Sequence, residues 1–457
     1  MNKDFSINNG LKILFVLSIL IGISSQLVSC SSAVAVEENN VAGLYQEEGL
    51  GIQPEIVIQH HKIDSSRAIF TLDRMDLLYT KIIDSDFFKA SLLVRYELFS
   101  GYENMTLLDS GSILVADIKT LEDLGRIQSE IKFKRPKQFK DLLLRVHFVD
   151  LNRKNNLSLD LRVQQEDLNS RQFFELRDLN GSLKLRPWVQ NDKPYLIKYF
   201  PKDTILAVRF YKRNFPIAIP PHATNDNKSF DFKEDSLYFV STYDTLFFRK
   251  PGIYHFQVDS TAMQGFSVFN FYNDFPYINE PELMLPPIRY ISTKKEFDAI
   301  QNAQSADSLK LLADAFWLGN SGAIERGQEA IAQYFTRVEK ANEKFSSYLE
   351  GWKTDRGLIY IIYGPPSQVF RSDQGESWVY GNRNSQLNYV FNFLRVNNPF
   401  SSNDYELTRF GEYRYGWGQA IAAWRSGKAY GIKDIKREQD ARDAQSRQQR
   451  TSPYFWY

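Results

Sequence analysis

The chain is predicted to be mixed: two antiparallel β-sandwich domains followed by an α+β domain. Three observations carry that expectation. Short runs of alternating apolar and polar residues recur from about residue 54 to 290, separated by Asp, Asn, Gly and Ser clusters; this is the pattern of half-buried antiparallel strands. Aromatic residues make up 14% of the chain, with 34 Phe and 25 Tyr, and they favour pleated surfaces. Further on the spacing changes to a helical stripe with strand-like runs after it, and helices segregated from strands make an α+β domain.

The amino terminus comes first. Lys3 and Lys12 precede an apolar run from Ile13 to Ile23, broken by Ser18 and Gly22. It is shorter than the ~20 apolar residues needed to span a bilayer, so residues 1–29 are expected to be a signal peptide. The run leads to Leu27-Val28-Ser29-Cys30, which resembles a bacterial lipobox. That resemblance implies that Cys30 becomes the acylated first residue of the mature chain, fixed to the membrane by a lipid anchor. An ordinary signal peptide with an incidental cysteine, or an uncleaved anchor, is the competing reading. Cys30 is the single cysteine, which excludes an internal disulfide and a thiolate metal cluster. Ser31-Ser32 stand where an Asp would favour inner-membrane retention, so the outer membrane is expected. The first acids are Glu37 and Glu38, which favours a periplasm-facing over a surface-exposed orientation. Residues 30–53 read as a flexible tether with a reach of ~25 Å.

The first sandwich is placed at residues 54–165, with strands at Glu55–Ile58, Ser91–Leu98, Ser112–Val115 and Leu142–Phe148. Asp117 to Lys132 is a short helical or extended excursion. The second is placed at residues 166–290, its clearest strands being Leu196–Phe200, Leu206–Tyr211, Leu237–Val240 and Tyr254–Val258. Such sandwiches serve more often as spacers and docking surfaces than as catalysts. Pro281 to Pro287 reads as a linker, because proline interrupts both ladders and helices.

The α+β domain is placed at residues 291–432. Thr293-Lys294-Lys295-Glu296 has capping-box spacing, so a helix starts there; another is expected at about 306–317, broken by Gly319-Asn320. A longer one covers about 322–349, where Ile331, Phe335, Val338, Asn342, Phe345 and Leu349 share a face. A buried Asn342 needs partners, and its amide is expected to tie this helix to the loop that follows. In that loop Gly351 suits a left-handed helix end, and Trp352 is expected to pack on the sheet with its indole N–H on an acceptor. Thr354 to Gly357 reads as a turn, with Asp355 accepting backbone N–H bonds and Gly357 open to positive φ. Leu358 to Tyr363 reads as a central strand buried on both faces, ended by Gly364-Pro365-Pro366. Strands follow at residues 378–380 and 388–395, then a short helix from Gly416 to Arg425 closing on Gly427. Residues 433–457 form a charged tail, either a solvated helix or disordered. Its last five residues, Pro453-Tyr454-Phe455-Trp456-Tyr457, dock in cis or on a partner.

Gly351-Trp352-Lys353-Thr354-Asp355 resembles the signature of the GWxTD domain family, mostly envelope proteins of Bacteroidetes-type bacteria. Arg356-Gly357 and the apolar run into Tyr363-Gly364-Pro365-Pro366 resemble its continuation. Glu376-x-Trp378-x-Tyr380 and Tyr389-Val390-Phe391-Asn392-Phe393 are similar to later elements, and Tyr334-x-x-Arg337-Val338-x-x-Ala341-Asn342-x-x-Phe345 to the preceding helix. The resemblance covers roughly the last third of the chain. It implies a structural or docking role for Gly351, Trp352, Thr354, Asp355, Arg356, Gly357, Gly364, Pro365, Pro366, Trp378 and Tyr380, and it brings no catalytic assignment.

Lys+Arg of 56 against Asp+Glu of 55 leaves a net charge of +1, which argues against a nucleic-acid footprint. The five histidines, His60, His61, His147, His222 and His255, lack metal-ligand spacing, and neither a phosphate loop, a nucleophile elbow nor a dinucleotide glycine pattern occurs. No cofactor or metal is therefore expected. Two functions follow. One is a lipid-anchored, non-enzymatic interaction module with an envelope protein partner, accessory to an outer-membrane assembly or transport complex. The other is an envelope glycan- or peptide-processing enzyme, or a glycan-binding module, using Asp355 and Glu376 with Trp352, Trp378 and Tyr380 as a sugar platform. Paired carboxylates for glycoside hydrolysis stand ~5–10 Å apart.

Overall fold

The computed structural model describes residues 40–450 except 47–48, 103–104, 225–229, 304, 320–322, 386 and 388. Leu27, Val28, Ser29, Cys30 and the aromatic end at 453–457 lie outside the described residues. Antiparallel sheets fill the first two thirds, and helices flank one more sheet in the last third.

The first sandwich contains β1 (Glu55–Lys62), β2 (Ser65–Asp73), β3 (Thr80–Lys81) and β4 (Phe88–Phe99). It continues with β5 (Leu107–Lys119), β6 (Arg126–Lys134), β7 (Asp141–Asp150) and β8 (Asn155–Gln164). One sheet has the order β1-β2-β6; the other runs β3-β4-β7-β8, with β5 also paired to β4. Alternation along the strands puts Ala68, Phe70 and Leu72 of one sheet against Leu142, Leu144, Val146 and Phe148 of the other, as the two-residue side-chain period dictates. Phe70 and Phe148 meet edge to face with centroids 5.2 Å apart.

The second sandwich contains β9 (Phe174–Asp178), β10 (Leu183–Lys184), β11 (Pro194–Tyr199) and β12 (Ile205–Tyr211). After these come β13 (Ser236–Ser241), β14 (Leu246–Phe247), β15 (Gly252–Gln257) and β16 (Phe266–Asn270). Its sheets, β10-β9-β11-β14 and β13-β12-β15-β16, enclose a separate aromatic core in which Phe174 stacks on Phe266 at 5.7 Å.

Three expectations are corrected in the remaining chain. Pro281 to Pro287 is no linker: Pro281–Ile288 is helical. Pro281 occupies the start, where its missing N–H has no intrahelical partner in any case. The turn that holds Pro286 and Pro287 closes through i→i+3 bonds from Arg289 and Tyr290. Next come the capped helix Lys294–Gln301, with Thr293 and Glu296 forming the expected box, and helices Ala306–Gly319 and Ile324–Phe345.

Second, Leu358 to Tyr363 is not a strand. Asp355–Tyr363 is a helix whose residues from Arg356 onward are all buried. A continuous apolar run has the same appearance in a central strand and in a helix enclosed on every side. Gly364-Pro365-Pro366 accordingly ends a helix, with Gly364 at φ +80°. The sheet lies beyond it: β17 (Gln368–Arg371), β18 (Gly375–Tyr380), β19 (Tyr389–Arg395) and β20 (Tyr405–Leu407), paired in that order.

Third, the described residues between 40 and 53 are not a tether. Asn40 bridges Phe370 of β17, and Val41, Ala42, Tyr45 and Ile52 are buried in the core shared by the first sandwich and the last domain. This strap runs across the last domain before the chain enters β1.

Helices Tyr413–Arg425 and Ile432–Arg450 complete the fold. The latter is the predicted charged helix, but one side is docked. Ile435 is buried, and Gln439 accepts from Asn382 N and donates to the carbonyls of Asn382 and Leu387. Among the described residues no helix is long and apolar enough to cross a membrane.

Candidate functional site

The signature forms a corner between the long helix (Ile324–Phe345) and the short buried one (Asp355–Tyr363). The long helix stops at Ser346, whose hydroxyl donates to Asn342 O at 2.6 Å and accepts from Gly351 N at 2.8 Å. Gly351–Lys353 makes a single 3-10 turn. Thr354 then caps the short helix: its hydroxyl accepts from Gly357 N at 3.1 Å and donates to Gly351 O at 2.8 Å, satisfying one of the free N–H groups of a helix start.

Both glycines are required by close backbone approach, not by the left-handed conformation expected for them. A Cβ at Gly351 would lie 1.8 Å from Ala341 O, and one at Gly357 1.9 Å from Gly351 O. Asn342 makes the tie expected of it. Its carbonyl oxygen accepts from Trp352 N at 3.2 Å, and its amide donates to Tyr272 Oη and Pro276 O, both at 3.1 Å. Trp352 is buried edge-on against Tyr290, whose hydroxyl donates to Trp352 O at 2.8 Å.

The far end of the short helix is closed in the same manner. Arg337 donates to Ile361 O at 3.1 Å, Trp424 Nε1 to Ile362 O at 2.9 Å and Tyr380 Oη to Gly364 O at 2.8 Å. These donors satisfy carbonyls that a helix end leaves free, and the guanidinium adds charge of the favourable sign there.

Asp355 and Glu376 occupy separate ion pairs. Asp355, the first residue of the short helix, accepts from Leu407 N at 2.8 Å and from both terminal nitrogens of Arg409. Burial raises its carboxyl, and Arg409 offsets only part of that rise. The Glu376 side chain is wholly enclosed. It accepts from Arg371 Nε at 2.9 Å, Trp378 Nε1 at 2.9 Å, Tyr45 Oη at 3.0 Å and Arg356 at 3.3 Å. Burial would raise this carboxyl too, but Arg371 and then Arg356 outweigh it and hold it at about 2. The Arg356 guanidinium also lies 3.8 Å over the Tyr405 ring and donates to Asn403 O.

The sugar platform is not formed. Trp378 and Tyr380 have no exposed surface and Trp352 only 5%, so none of these three rings offers a face to a pyranose. The two carboxylates are held by different arginines inside the protein. Tyr45, Arg409 and Asn403 carry no signal in the sequence because they come from segments distant in the chain, whereas Arg371 lies opposite Glu376 on the neighbouring strand, which the strand pattern did not mark. Among the described residues no group of three or more His, Asp or Glu is placed to hold a metal ion.

Fold and corner together define an α+β domain, its signature buried as an internal joint, set behind two β-sandwiches. The GWxTD domain family matches residues 252–426, and the chain is therefore a GWxTD domain-containing protein. The match begins at the first residue of β15, so it takes in the last two strands of the second sandwich. No curated protein matches the chain. Among solved structures, a β-glucuronidase 2 of Bacteroides uniformis, covalently bound to cyclophellitol-6-carboxylate aziridine, is similar at 10% identity with a TM-score of 0.17. That similarity covers 33% of this chain and 15% of the enzyme, and at this level it carries no argument.

Proposed function

We propose that the protein is a lipid-anchored component of the outer membrane, facing the periplasm, and that it works as a non-enzymatic interaction module for an envelope protein partner. The observation that carries this reading is the closed state of the corner. Asn342, Thr354, Asp355, Arg356 and Glu376 all direct polar atoms at one another, at backbone or at neighbouring side chains of the protein itself, including Tyr45, Tyr272, Trp378, Arg371 and Arg409. A site for bond breaking needs a group within reach of a substrate; an internally bonded joint supports a rigid platform instead. The anchor rests on the lipobox-like Leu27-Val28-Ser29-Cys30.

The test is capture from mild-detergent extracts after crosslinking in cells. A reproducible outer-membrane partner is expected, and recovery as an isolated monomer would sink the reading. Cys30→Ala is expected to move the protein out of the membrane fraction. Asp355→Asn separates the enzymatic alternative: a folded variant that loses turnover of a peptidoglycan or polysaccharide panel would favour catalysis, whereas loss of folding fits the joint.

A further inference from the structure

We infer that the strap mounts the GWxTD domain as the membrane-proximal body, with the surface around β17 and Arg383 facing phospholipid headgroups. This rests on the lipid-anchor reading above. Asn40 is ten residues beyond Cys30. Even fully extended, a stretch of that length spans at most roughly 35 Å.

From Asn40 onward the chain is held. Val41 N donates to Val369 O at 2.9 Å, and Val369 N donates back to Asn40 Oδ1 at 2.9 Å. Gln46 donates to Pro366 O at 2.9 Å. Tyr45 is enclosed between Phe345 and Trp378, with ring centroids 5.4 and 5.1 Å away, and its hydroxyl meets both Glu376 and Arg371. Lys344 of the long helix then reaches Leu44 O at 2.9 Å and Gln53 Oε1 at 2.6 Å. The path from anchor to β1 therefore crosses the last domain first.

The first sandwich leaves from the other end of the strap. Gly49 N and Gln53 N both donate to Asp76, and β1 carries the chain on for eight residues, about 26 Å at ~3.3 Å each. It turns at Ile63, which is 74% exposed. Arg383 lies beside the strap's entry: it is exposed, and its guanidinium sits 5.9 Å from the centroid of Phe370, the residue that Asn40 bridges. An arrangement with the sandwiches between the bilayer and the GWxTD domain would use most of that roughly 35 Å reach to pass the length of β1.

The experiment uses the full acylated chain in vesicles of phosphatidylethanolamine and phosphatidylglycerol. A dye is placed on an Arg383→Cys or an Ile63→Cys variant; the chain's own cysteine is consumed by the anchor, so the dye reports only the added site. Energy transfer to a headgroup acceptor is expected to be roughly twofold or more higher from position 383 than from 63. Equal transfer, or more from 63, overturns the inference. Adding Tyr45→Ala is expected to narrow the difference, with Tyr45→Phe as the milder variant if circular dichroism shows loss of fold. An undiminished difference in a folded Tyr45 variant removes the strap as the mount. Flotation reads the anchor separately. If the full chain fails to float and matches Cys30→Ser, the anchor reading fails and this inference with it; flotation with equal transfer removes this inference alone.

Discussion

Glu376 shows how single residues decide the character of the corner. An enclosed carboxylate is tolerated because two guanidiniums, an indole N–H and a phenol converge on it, and removing one member of such a group leaves uncompensated buried charge. Glu376→Gln is expected to cost about 3–5 kcal/mol at neutral pH, read as a lower urea midpoint. The sign with pH follows from the depressed carboxyl. Its contribution is complete above the ordinary value near 4.5 and is lost as pH falls towards about 2. The gap between wild type and variant should therefore close over that interval; a gap that persists at pH 2 would show that Glu376 acts through shape and not charge. Gly351 is the steric counterpart. Gly351→Ala drives a methyl into the Ala341 carbonyl, and a cost of at least ~3 kcal/mol is expected. A variant that melts within a degree of wild type would contradict the close approach.

At the scale of elements, the short helix depends on its ends more than on its intrinsic preference. Ile359, Ile361 and Ile362 are β-branched and disfavour helix slightly; the helix persists because Thr354 closes one end and Arg337, Trp424 and Tyr380 close the other. Thr354→Ala is expected to cost about 1–2 kcal/mol, with Thr354→Ser recovering most of it, since serine keeps the hydroxyl on both Gly357 N and Gly351 O. Equal losses from Ala and Ser, measured by chemical denaturation, would point to the lost methyl and away from the cap.

Across the whole molecule, the described residues form three apolar clusters. The first sandwich, the strap and the last domain share one, the second sandwich encloses another, and Tyr211, Ile253, Phe269 and Phe400 form a third between the second sandwich and the last domain. The second sandwich still touches the last domain through the pair Tyr211 and Phe400, with centroids 5.1 Å apart, and through Ala218 N donating to Lys353 O at 2.9 Å. Tyr45 sits where the strap joins the shared core. Tyr45→Ala is expected to raise amide exchange in β17, β18, β1 and β2 together and to leave β12 and β15 at wild-type rates. Hydrogen-exchange mass spectrometry reads this directly. Faster exchange confined to β17 would mean that the strap does not couple the two bodies.

The sandwiches were legible because alternation has a period of two and depends only on which face meets the core; the runs at 91–98 and 142–148 fall inside β4 and β7. The long helix and the tie made by Asn342 were legible for the same kind of local reason, a stripe at helical spacing with one polar member. The short helix had a local signal as well: Thr354 before it, Asp355 in its first turn, Gly364 and two prolines behind it are start and stop marks of a helix. The unbroken apolar run concealed them, since burial on all sides erases the periodicity that separates helix from strand. What the sequence by itself determined is the order of domains, those sandwich strands whose alternation is plain, β4 and β7 among them, and the position of the signature. Only the tertiary structure decided that residues 40–46 pack on the last domain, and that Glu376 is met by Tyr45 from 331 positions away. Such partners share no neighbourhood in the chain, and a small polar segment shows its role only once the surface that buries it has formed.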